Sequence, residues 1–235
     1  MESAREFTLP PGSATHSYDQ PAGGSRPDHV VVQVDATAST VDGFAWLMSR
    51  RDAEQTHRLA SLHQEAAAQH WSWAELTRAR LRQLRPRRAE VNELGAAYLS
   101  HLSPGVGEAI QSMRRAGMSI SLASDVGAEA LFGVAAALGV SPSELQAPRL
   151  RFDAIGAYVG CDVPAASHVG SSDAASPGPV SGARTWYVGT RRSAMFAPRA
   201  ADAFVLYTAL VAHEGRADAA ASVDSFADLV ALALR

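Results

Sequence analysis

The sequence contains no lysine; all 21 of its basic residues are arginine. Any step that needs a lysine ammonium is therefore excluded, or passes to a guanidinium of different shape and hydration. Cysteine is almost as scarce. Cys161 stands alone, so no disulfide can form within the chain and a reducing, cytoplasmic setting is expected. Cys161 itself reads as a buried or inert thiol. No apolar run approaches the ~18 residues that a membrane-spanning helix needs. Residues 1–28 lack the apolar stretch of a secretory signal; with Pro10, Pro11, Pro21, Pro27 and Gly23-Gly24-Ser25 they are expected to form a disordered leader. Charge of one sign is missing too: a net −3 offers no broad attraction for nucleic acid. Neither nucleic acid nor membrane is expected as a partner, and composition leaves the oligomeric state open.

What the chain does have is apolar material. At 47% hydrophobic and 19% charged over 235 residues, it can fill one large core, or a core plus an insertion. The organising stretch is Val30 to Val41. A β-branched run bounded by Pro27 ends in Asp35 and breaks into small residues, which predicts a buried parallel strand. An acid at the carboxyl end of such a strand lies where open α/β sheets place their ligands.

Beyond Val41 the pattern becomes helical. Phe44, Leu47 and Met48 share a face, and helical spacing continues through about Leu102, broken at Pro86, with no strand. Residues 42–102 are thus expected to be an all-helical cap inserted into an α/β core of residues 29–41 and 103–235. Ser103-Pro104-Gly105 predicts a new helix, with Ser103 as N-cap and Pro104 at its first position. Strands are expected over Met118–Ser124, Thr185–Gly189 and Ala203–Tyr207, a hairpin over Leu150–Val159, helices over Gly127–Leu138 and Phe226–Leu234, and a loop over 165–182. Strands alternating with helices give a Rossmann-like parallel sheet with helices on both faces.

Among single residues, Ser124 follows the second strand. Its hydroxyl is placed either to bind an anion beside helix amides or to cap the next helix. Asp125, next in the chain, either brings its carboxylate toward a cation at Asp35 or caps the next helix. His57, His63 and His70 lack the i, i+4 spacing of a metal pair and are expected to be surface or cap-packing residues. Trp71 and Trp73 are candidates for a cap pocket or for core.

The order of segments resembles the haloacid dehalogenase-like (HAD) superfamily, in its phosphoserine phosphatase-like branch. Asp35-Ala36-Thr37-Ala38-Ser39 stands where that family has Asp-x-Asp-x-Thr. Leu122-Ala123-Ser124 stands at its second motif, and Tyr187-Val188-Gly189-Thr190-Arg191-Arg192-Ser193-Ala194 where it has Gly-Asp-Gly-x-Asn/Thr-Asp. A second register, aligning Ser39-Thr40-Val41 with the family's Ser-Thr-Val, would put Ala36 and Ala38 at both Asp positions; the register that keeps Asp35 at the strand end is preferred. The resemblance implies that Asp35 is the nucleophile, and that Thr37 stands in for the acid/base Asp, whose proton chemistry it cannot supply near neutral pH. The Mg²⁺-binding acids of the Gly-Asp-Gly motif are replaced by Thr190 and by Ser193-Ala194, with Arg191 and Arg192 between them as guanidiniums in place of the cation. No cofactor is expected, with at most a weak Mg²⁺ site at Asp35. By the same resemblance Ser124, Gly189, Arg191 and Arg192 hold an anion, and Arg80 matches the position that clamps the substrate carboxylate.

Three functions follow from this reading. The first is a diverged, metal-independent or metal-poor enzyme acting through Asp35 on a small anionic metabolite, phosphorylated or carboxylated. The haloacid dehalogenases, which use Asp with Arg and no metal, are the nearest precedent. The second is a pseudoenzyme that binds without turnover. The third is a conventional Mg²⁺-dependent phosphomonoesterase.

Overall fold

The valine run His29–Gln33 forms β1, and its five residues are buried on both faces. Such a strand needs neighbours on either side and a layer above and below. In the computed structural model, which describes residues 26–69, 71–163, 183–190, 201–209 and 219–235, it has all of these. The proposed leader (except for Arg26–Asp28), His70, the 165–182 loop, Arg191 and Arg192 lie outside the described residues.

β1 pairs in parallel with β2 (Ser119–Ala123) on one side and, through Val32 opposite Val188, with β6 (Thr185–Gly189) on the other. With β3 (Leu145–Gln146), β7 (Ala203–Tyr207) and β8 (Ala221–Val223), the six-stranded order is β3-β2-β1-β6-β7-β8, every pair parallel. β4 (Arg149–Phe152) and β5 (Tyr158–Asp162) form a separate antiparallel hairpin. Period-two alternation sorts β1 between two cores. Val30 and Val32 join the larger one with Ile120, Leu122 and Val188; Val31 joins Tyr187, Phe204 and Leu206 on the opposite face.

Four helices fill the stretch between β1 and the return to the sheet: α1 (Gly43–Met48), α2 (Ala53–Gln69), α3 (Trp73–Leu84) and α4 (Arg88–Ser100). α3 starts on a reciprocal capping box between Ser72 and Glu75. Arg51 ties the group together. Its guanidinium donates to both carboxylate oxygens of Glu90 at 2.6 and 2.9 Å, and its Nε donates to the Leu84 carbonyl at 3.0 Å. α5 (Val106–Arg115) leads into β2, α6 (Ala128–Leu138) links β2 to β3, and α7 (Phe226–Ala233) ends the described chain. None of the helices among the described residues is long and apolar enough to cross a membrane.

The start of α5 differs from the sequence expectation. Gly105, with φ +78°, is the N-cap, and the helix begins at Val106. The Ser103 hydroxyl instead donates to the Thr37 carbonyl at 2.5 Å, while its N–H donates to Ala38 at 2.9 Å. A tertiary acceptor has taken the hydroxyl that local pattern assigns to a cap.

α4 packs along α6. A Cβ on Gly95 would stand 3.0 Å from the Ala130 carbonyl oxygen, so glycine sets the approach of the two helices. Gly95→Leu is expected to cost about 2 kcal/mol by overpacking, read as a lower urea midpoint with an unchanged m-value. This contact matters for the site because Tyr98 lies three residues further along the same helix face.

Candidate active site

Strand order reverses between β1 and β6: the chain steps from β1 outward to β2 and β3, then returns to β6 on the other side. Crevices at such a reversal, outside the carboxyl ends of the strands, are the ligand sites of open α/β sheets. Three candidate residues sit at those adjacent ends. Asp35 follows β1, Ser124 follows β2, and Gly189 closes β6.

The chain leaves β1 through a wide turn, Val34–Ala38, closed by the Ser39 N–H on the Val34 carbonyl at 3.0 Å and by the Ala36 N–H on Val41 at 2.9 Å. Ala36 is held at φ +50°, ψ +26°, a left-handed conformation that costs a non-glycine residue about 1–2 kcal/mol. Such strain persists where neighbours overdetermine it. Here Ser103 pins the turn from the return segment, and the buried Thr37 hydroxyl donates to the Asp35 carbonyl at 3.4 Å. Thr37 is thus a brace of the turn.

The turn delivers the Asp35 carboxylate to the crevice, where it is 9% exposed. Oδ1 accepts from the Gly43 N–H at 3.0 Å and from the Tyr98 hydroxyl. Oδ2 accepts from Gln33 Nε2 at 3.1 Å, and the Gln33 carbonyl oxygen in turn accepts from Tyr187. Burial pushes the Asp35 carboxyl up to about 6, helped by the charges of Asp125 and Asp42, while hydrogen bonds from Tyr98 and Ser124 pull it down. Burial beside Asp35 also holds the Tyr98 phenol well above its ordinary range. A carboxyl that titrates this close to neutrality can carry a proton in either direction.

Arg80 reaches this site from α3. It is 3% exposed, its guanidinium lies over the Phe44 ring at 4.6 Å, and Nη1 stands 3.7 Å from Asp125 Oδ2. Trp73, also on α3, donates from Nε1 to Asp125 Oδ1 at 2.9 Å. Ser124 Oγ accepts from the Val126 N–H at 3.2 Å, while α6 starts at Ala128 with Gly127 before it. Ser124 therefore closes a local turn and does not cap that helix.

The structure thus brings Asp35, Thr37, Ser124, Gly189 and Arg80 to one end of the sheet. It adds Gln33, Gly43, Tyr98 and Asp125 as partners of the site, of which sequence reading had singled out only Asp125 as a candidate. Gln33, Gly43 and Tyr98 carry no functional signal in the sequence.

The carboxylate environment bears on a metal. Mg²⁺ requires oxygen ligands around an open coordination sphere, but the partners described above for Asp35 are N–H and O–H donors, whose hydrogens face the carboxylate. Asp125 is turned toward Arg80 and Trp73. Among the described residues no group of three His, Cys, Asp or Glu side chains could hold a metal ion. Within the described residues this donor set does not fit Mg²⁺.

Solved structures with a similar fold include phosphoserine phosphatases. A phosphoserine phosphohydrolase-like protein from Francisella tularensis superposes with a TM-score of 0.67 at 13% identity, covering 87% of this chain and 99% of its own. Phosphoserine phosphatase from T. onnurineus gives 0.57 at 14% identity, covering 89% and 96%. The fold is HAD-like. DsGPDH of Dunaliella salina contains a similar unit, with a TM-score of 0.63 at 20% identity over 89% of this chain, which spans 36% of that longer protein. No protein-family model matches the sequence, and a search of curated proteins finds no match. At these identities the HAD-like likeness speaks for the fold, and the chemistry rests on the residues described above.

Proposed function

We propose that this HAD-fold chain is a cytoplasmic enzyme that acts on a small anionic metabolite through Asp35, without a resident metal. The observation that carries this reading is the Asp35 carboxyl, placed at the strand-order reversal and held near neutral pKa by burial. Oδ1 takes the Gly43 and Tyr98 donors, Oδ2 takes the Gln33 amide, and the Ser124 hydroxyl is a further donor to the carboxyl. In this reading the Asp35 carboxylate attacks or accepts a proton. Ser124 and Gly189 flank it on the neighbouring strand ends, where the substrate anion is seated, with Arg191 and Arg192 as further proposed contacts. Thr37 contributes no proton transfer in this scheme.

A second reading, a binding module without turnover, is favoured by the packing of donors around Oδ1 and by the engagement of Arg80 with Asp125. A conventional Mg²⁺-dependent phosphomonoesterase ranks third, because the donors around Asp35 oppose a cation.

Phosphate release from a panel of small phosphomonoesters, phosphoserine included, separates the three. It is measured with Mg²⁺ and with EDTA, on wild type and Asp35→Ala. Release that survives EDTA and falls at least 10³-fold in Asp35→Ala is expected, by the scale of losing a reacting group. Mg²⁺-stimulated release would favour the phosphomonoesterase instead. No release, with anion binding retained, would favour the binding module.

A further inference from the structure

Arg80 is a buried cation with a carboxylate of the same chain facing it. Asp125 directs Oδ2 at Nη1 from 3.7 Å, and its Oδ1 is held by Trp73 at 2.9 Å. Arg80 and Trp73 belong to α3 of the cap, while Asp125 follows β2 of the core. Its charge also reaches Asp35, so it stands inside the site.

The separation is informative. Charge-assisted hydrogen bonds between a guanidinium and an oxyanion are about 2.7–2.9 Å long and often bidentate. At 3.7 Å the pair has Coulomb attraction without that geometry, and Trp73 fixes the carboxylate where it is. The Phe44 ring lies under the guanidinium, its centroid 4.6 Å from Cζ. A phosphate or carboxylate presenting two oxygens to the guanidinium edge would make the shorter contacts that Asp125 does not.

We propose that Asp125 is an internal anion seated against Arg80, which an incoming ligand anion displaces, so that Asp125 sets the anion affinity of the site and joins cap to core when no ligand is there. The proposal deepens the reading of a small anionic ligand and rests on it. It concerns binding alone, so a chain without turnover leaves it standing.

The test is calorimetric titration of the full chain with inorganic phosphate. Asp125→Asn removes the charge but keeps an oxygen for Trp73. It is expected to bind phosphate at least tenfold more tightly than wild type. Arg80→Met combined with Asp125→Asn is expected to lose that gain. Asp125→Ser, neutral and shorter, provides the same comparison if the Asn variant does not fold. Equal affinity in wild type and a folded neutral variant would overturn the proposal, as would a gain that persists without Arg80. Phosphate esters bound through Asp35 but indifferent to Asp125 would overturn it while leaving the functional reading intact.

Discussion

Gly43→Ala is expected to destabilise the protein by about 3 kcal/mol, against the ordinary rule that alanine strengthens a helix. In a helix interior alanine gains roughly 0.5–1 kcal/mol over glycine, and Gly43 is the first residue of α1. The surroundings reverse the sign. A Cβ at this position would lie 1.8 Å from the Tyr98 hydroxyl oxygen, 2.8 Å from Tyr98 Cζ and 2.7 Å from Asp35 Oδ1. Tyr98 is fully buried and α4 is fixed against α6 at Gly95, so neither ring nor helix can retreat freely. Overpacking costs about 1–3 kcal/mol, and losing a hydrogen bond to a charged group costs about 1.5–3 kcal/mol more. Urea unfolding at pH 7.5 measures the sum. Tyr98→Phe, which removes the hydroxyl without a clash, is expected to lose about half as much. A Gly43→Ala chain as stable as wild type would mean that Tyr98 does not hold Asp35.

Much of the fold was legible because its strongest elements declare themselves locally. β1, β6 and β7 are fully buried strands, and the valine and aromatic runs that fill them have little other use. β3 and β8 were missed for the opposite reason. They are two and three residues long, half-buried or exposed except for Val223, and recognisable only by the strands beside them. Ser103 misled because a cap and a tertiary donor have the same local sequence. At the site, Asp35 was legible as an acid at the end of a buried strand. Its partner Tyr98 lies 63 residues away, and Tyr187 reaches Gln33 across 154. Contacts at that separation leave no periodic trace. The sequence also could not show that Arg80 would meet Asp125, since each residue alone fits a solvated surface equally well.

Asp35→Asn is expected to make the protein more stable at pH 7.5 while ending any reaction that depends on the carboxyl. The native state holds its Asp35 proton up to about pH 6, against an ordinary value of 3.8 in the unfolded chain. Between those values the folded state binds more protons than the unfolded one, so stability falls as pH rises through the interval and then levels off. At ~1.4 kcal/mol per pKa unit, the cost above pH 6 is about 3 kcal/mol. Its causes are burial first, then the charges of Asp125 and Asp42. Asparagine keeps an oxygen for Gly43 and Tyr98 but cannot ionise, so the pH-dependent cost disappears. Urea unfolding of both chains at pH 4.5 and pH 7.5 isolates this group, because every other titration is common to the pair. Wild type should lose about 2 kcal/mol more than Asp35→Asn over the interval. Parallel losses would mean that Asp35 ionises in the fold as easily as in water.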